Sequence, residues 1–209
     1  MTTDHRPRVS QLARLNQAVR QAIKLGRYDV AVEASDRALA TLTNASPRFE
    51  NSRIAIRTWT DRGTVLEVDD RLPDALRARM KALELARTLD RFPASELATI
   101  LVQIAQNLRL LDRSNEATSY LAEARQSIDD VPIEASKQRG MVRARCLLLA
   151  GEADILSDND EMDQAEFLKA KALADWRRIY DTRLYQMVIQ ISRMLSPTTD
   201  GLLAKRMMM

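Results

Sequence analysis

Alanine returns at one fixed offset four times along this chain. Ala31, Ala75, Ala117 and Ala165 stand 44, 42 and 48 residues apart, and seven residues after each comes another alanine: Ala38, Ala82, Ala124 and Ala172. With 28 alanines in 209 residues, four such hits carry odds of roughly one in three thousand before helical bias is allowed for. Other positions follow the same register. Sixteen before each anchor lie Leu15, Trp59, Leu101 and Leu149; nine before lie Ala22, Leu66, Leu108 and Leu156. Twelve before lie Val19, Gly63, Ala105 and Ala153, and five before lie Gly26, Asp70, Asp112 and Asp160. Eight after, Leu39, Leu83 and Leu173 agree and Arg125 breaks the rule. A period of this length is the mark of stacked supersecondary units.

The spacing has a physical reading. Apolar residues seven apart share one face of a helix two turns long, and a small residue between them lets another helix axis come close. A turn-forming residue then breaks the chain, and a second helix presents alanines two turns apart. Each unit is thus expected to be two antiparallel helices in contact through small side chains. First helices are expected at 10–25, 48–68, 94–111, 134–157 and 182–196, and second helices at 28–43, 72–89, 114–128 and 161–179. Gly and Pro number only 5 and 6, aromatics are 4%, and no alternating β-branched run suggests a strand. The fold class is all-α.

Gly26, Tyr28, Ala31, Ala38 and Leu39, with Trp59 and Gly63 as the large and small residues of a first helix, resemble the signature of tetratricopeptide repeats. The resemblance covers about residues 11 to 197, and its long period is similar to the arrays of bacterial signalling regulators and peptide-sensing receptors. It implies a right-handed solenoid of about four helix pairs over residues 10–197, after a flexible tail at 1–9 and before a C-terminal cap or tail at 198–209. The sequence departs from the family in its longer units, against about 34 residues as usual. It departs again at Ser35 and Arg79, where a large aromatic is common.

Little here points to catalysis. The one histidine, His5, lies in a polar N-terminal stretch, and Cys146 sits among Leu147, Leu148 and Leu149 with no base to activate it. No phosphate-binding glycine loop occurs. The acidic stretch SDNDEMDQAE, 157 to 166, lacks the glycine and closing glutamate of a calcium loop, having Asp163 and Lys169 there. We therefore expect no enzyme, no cofactor and no metal. One cysteine rules out an internal disulfide and fits a reducing cytoplasm; no apolar run approaches the ~18 residues of a membrane span. The net charge is only +3, although 26 of the 32 bases are arginine. Basic clusters at Lys137, Arg139, Arg143 and Arg145, and at Arg177, Arg178 and Arg183, are interspersed with acids and argue against a nucleic-acid partner.

In the resembled family the first helices line a concave groove that holds peptides. The residues turned about 100° from the packing row are Asn16 and Arg20, Thr60 and Thr64, Val102 and Gln106, and Ala150 and Asp154. Arg57 and Arg109 join them. The resulting expectation is a non-catalytic scaffold or adaptor that binds a protein or peptide segment, with the acidic part of the ligand over Arg20, Arg57 and Arg109. The bases that grip a terminal carboxylate in chaperone-binding members are missing where Asp61 and Thr99 stand. Two alternatives remain open: a peptide-sensing module acting on a separate signalling or transcription effector, and homo-oligomerisation through Leu202, Leu203 and Met207 to Met209.

Overall fold

The computed structural model describes residues 6–44, 52–132 and 138–179, with side chains described over 9–44, 52–132 and 138–176. Among these residues every regular element is an α-helix: α1 (Arg6–Lys24), α2 (Tyr28–Thr43), α3 (Arg53–Val68), α4 (Leu72–Thr88), α5 (Ala94–Leu110), α6 (Ser114–Asp129), α7 (Arg139–Asp158) and α8 (Met162–Ile179). The chain divides into two compact units, Met1–Val131 with α1 to α6 and Pro132–Met209 with α7 and α8. The stretch expected to form one array, 10–197, crosses that division. The helix expected at 182–196 and the cap or tail at 198–209 lie outside the described residues.

Four of the turns share one backbone conformation. Gly26, Asp70, Asp112 and Asp160 have φ of 68, 56, 58 and 64°, the left-handed region. The following N–H reaches back to a helix carbonyl: Arg27 to Ala22 at 2.9 Å, Arg71 to Leu66 at 2.8 Å, Arg113 to Leu108 at 2.9 Å and Glu161 to Leu156 at 2.8 Å. That bond satisfies an orphan carbonyl at the end of the first helix. The carbonyl of the same residue then accepts the amide of the anchor alanine, at 3.1 Å for Ala31 and 2.9 Å for Ala75. One residue thereby ends one helix and starts the next, and the anchor falls at a fixed place in the second helix. Glycine suits this conformation, and aspartate tolerates it better than most residues do.

The turns bring α1 against α2, α3 against α4, α5 against α6 and, in the second unit, α7 against α8. The anchor alanines Ala31, Ala75, Ala117 and Ala165 are at most 1% exposed, and Ala38, Ala82, Ala124 and Ala172 are buried as well. On the first helices Val19, Gly63, Ala105 and Ala153 are buried too; Val19 packs with Ala31, and Gly63 lies against the Ala75 carbonyl. One part of the core joins Val19 and Ala22 of α1 to Ala31 and Ala34 of α2 and Val65 of α3. Another joins Leu66 to Ala75 and Ala78, with Trp59 packed on its side.

Several helix boundaries differ from expectation. α1 begins at Arg6, inside the stretch expected to be a tail. α3 begins at Arg53 rather than 48, because Ser52 is extended and its Oγ accepts the Ala55 amide at 3.3 Å, an N-cap. α7 begins at Arg139 rather than 134, after the extended Gln138. No described helix is long and apolar enough to cross a membrane.

Candidate functional site

The first unit carries two sets of polar contacts between its helices, one buried and one open to solvent. The buried set centres on Arg79 of α4, whose side chain is 3% exposed. Its guanidinium pairs with Glu67 of α3 and donates to Asn107 Oδ1 of α5 at 2.5 Å and to the Gln103 carbonyl at 3.1 Å. Asn107 Nδ2 closes the loop by donating to Glu67 at 3.3 Å. The arginine stem crosses α3 at Gly63, where an added Cβ would stand 2.7 Å from Arg79 Cγ and 3.3 Å from the Ala75 carbonyl. Glycine is therefore needed at this crossing. Arg79 occupies one of the two positions where the resembled family favours an aromatic, and its long stem supplies volume there. At the other, buried Ser35, Arg62 of α3 approaches to 3.4 Å and pairs with Asp36 at 2.6 Å.

The open set lies along α3, in ion pairs to α1 on one side and to α5 on the other. Arg20 of α1 meets Asp61 of α3 at 2.5 Å. Arg53 and Arg57 of α3 both approach Glu96 of α5, Arg57 at 3.9 Å. The three arginine side chains remain 43, 57 and 53% exposed in chain order, while Asp61, between Arg20 and Arg57, is only 14% exposed. Burial pushes the Asp61 carboxyl up to about 6, against the opposing pull of Arg20 and, more weakly, Arg57. Desolvation of the carboxylate thus outweighs an ion pair of good geometry.

The expected groove residues do not all share this open face. Asn16 is 1% exposed, and its Nδ2 donates to Thr58 Oγ1 at 3.0 Å while that hydroxyl donates to the Ile54 carbonyl at 2.8 Å. It is a buried α1–α3 joint rather than a groove residue. Val102 and Gln106, at 1 and 5% exposure, are likewise buried. Thr60 and Thr64 are half-buried and turn their hydroxyls back onto the Ile56 and Thr60 carbonyls of their own helix. Arg109 is half-buried near the end of α5. In the second unit Asp154 is buried, with Lys169 of α8 at 3.8 Å. Arg20 and Arg57 are the members of the expected set that stand well exposed beside one another.

Arg53 and Glu96 stand outside the expected set, in which Asp61 figures only as a missing base. A signal was present: Arg53, Arg57 and Asp61 are spaced by four and share one face of α3. Nothing local to Glu96 marks it as their counterpart, because the pairing spans 43 residues.

Cys146 is buried and its Sγ donates to the Ala172 carbonyl at 3.4 Å. Burial pushes its thiol up to about 11, so little of the reactive thiolate exists near neutrality. Among the described residues, no three His, Cys, Asp or Glu side chains gather as a cation site. His5, Lys137, Arg183 and the apolar residues Leu202, Leu203 and Met207 to Met209 fall outside the described residues, as do the side chains of Arg177 and Arg178.

Compared with known proteins, the chain matches no family model, no curated protein and no solved structure.

Proposed function

We propose that this chain is a non-catalytic binding module, a tetratricopeptide-like array of helix pairs, whose ligand is an acidic peptide segment of another protein. The ligand lies across α1 and α3 of the first unit. One observation carries this reading: three well-exposed arginines follow one another along α3, Arg20 and Arg57 acting on Asp61, and Arg57 and Arg53 approaching Glu96. Arginine offers paired donors that match a carboxylate edge to edge, and a cluster of arginines is a common means of gripping acidic motifs. The repeated turn and the alanine contacts support the array half of the proposal. They give a set of rigid helices on which such a cluster keeps its geometry.

The test is an array of immobilised peptides graded from neutral to strongly acidic, probed with the full-length chain. Acidic peptides bind better than neutral ones of the same length. Arg20→Glu and Arg57→Glu each remove that preference, and Arg37→Glu, the same charge change on α2, retains it. Equal binding of neutral and acidic peptides, or equal loss in all three variants, would refute the proposal.

A further inference from the structure

The Arg20 and Arg57 site is already filled from within. Asp61 presents its carboxylate to Arg20 at 2.5 Å, and it is far less exposed than either arginine. Asp61 holds Arg20 Nη1, so a carboxylate arriving from solvent competes with it for the arginine's charge. Two negative groups cannot share one guanidinium pair closely without strong repulsion. We infer that Asp61 is a built-in competitor for the ligand's carboxylate, and that the acidic segment is admitted when Asp61 takes up a proton. The inference deepens the binding function proposed above and rests on it.

The surroundings of Asp61 support this exchange. From α1 the facing charge is Arg20, and from α3 itself it is Arg57. From α5 Glu96 reaches Arg57 and holds part of its charge. Arg62 of α3 is committed to Asp36 of α2, and Arg79 of α4 to Glu67, so both of these arginines are engaged with other carboxylates. A proton on Asp61 therefore leaves Arg20 without this counter-charge while Arg20 still reaches solvent. Burial places the proton uptake at about pH 6. Aspartates of a flexible ligand titrate near 4 and remain charged there. Between those two values the protein's own carboxylate is neutral and the ligand's is not.

The size of the effect follows from the population of the competent form. With Asp61 titrating at about 6, roughly 3% of molecules carry the proton at pH 7.5 and about nine-tenths at pH 5. Apparent affinity for an acidic probe then rises about thirtyfold across that interval.

The experiment measures binding of octa-aspartate, labelled with a dye insensitive to pH, to the full-length chain from pH 7.5 to 5. The wild type tightens by about thirtyfold, with its midpoint near pH 6. Asp61→Asn binds tightly at both ends and shows no midpoint, because the amide mimics the protonated acid. Arg20→Gln binds weakly throughout. If Asp61→Asn binds no better than the wild type at pH 7.5, or keeps the wild-type pH profile, Asp61 is not the competitor and the inference is overturned. If neither protein binds octa-aspartate at any pH, the binding function itself fails, and the inference with it. A carboxyl carbon NMR titration supplies a readout without ligand: Asp61 titrates near 6, and a value near 4 would overturn the inference even if binding depends on pH.

Discussion

Removal of the Glu67 side chain should be strongly destabilising to the first unit. Arg79 is 3% exposed and Glu67 14%. Deleting one partner of a buried ion pair typically costs about 3–5 kcal/mol, because the remaining charge stays buried without compensation. Arg79 would keep Asn107 and the Gln103 carbonyl as acceptors, so Glu67→Ala should fall at the lower end, about 3 kcal/mol. That is a large share of a domain's usual stability of about 5–15 kcal/mol. The reporter is Trp59, one of two tryptophans and packed against the Leu66, Ala75 and Ala78 cluster; Trp176→Phe removes the other from the signal. With a urea dependence of about 1.5 kcal/mol per molar, the midpoint drops by about 2 M at unchanged slope. Replacing the whole network by apolar residues of similar size, Arg79→Met, Glu67→Met and Asn107→Leu together, should return stability to within about 1 kcal/mol of the parent, since no buried polar group is then left unmatched. A loss under about 1 kcal/mol for Glu67→Ala would mean that the pair behaves as a solvent-exposed one, and the reasoning would be wrong.

Two further outcomes follow from the same physics. The Asp61 carboxyl is raised from 3.8 to about 6 by folding, so its protonated form favours the folded state. Its contribution is complete below about pH 4 and lost as the pH rises through 6; Asp61→Asn should therefore stabilise by up to about 3 kcal/mol at pH 7.5 and by almost nothing at pH 4, read from urea midpoints at the two pH values. At the left-handed turns, Asp112→Gly and Arg91→Gly should be neutral to stabilising by up to about 1 kcal/mol, while Gly26→Val should cost more than 1 kcal/mol despite the open space around it, because the strain lies in the backbone; thermal unfolding of the three variants decides.

Much of the local structure was legible because its causes are local. The alanine offset and the residue five before each anchor give the helix pairs and their turns. The boundaries of α2, α4, α5, α6 and α8 fall within a residue of expectation. Gly26 announces a left-handed turn, and three aspartates at the matching positions adopt the same φ. Arg91 does so as well, and nothing in its residue type indicates it. The groove was read with less success. The helical period places Asn16 and Arg20 one turn apart on the same helix face, yet Asn16 is 1% exposed and the Arg20 side chain 43%. Periodicity gives the direction of a side chain about its own axis, and says nothing of which neighbouring helix lies there.

Paired helices, the place of each turn and the small residues near the contacts are written into the local order of the chain. These are consequences of helical period, turn chemistry and side-chain volume, all set within about twenty residues. Which polar side chains meet is settled by packing. Arg20 with Asp61, Arg53 with Glu96 and Asn16 with Thr58 are 41 to 43 residues apart in sequence. Their meeting depends on the angle and register at which one helix pair packs on the next, and no window of sequence contains that geometry.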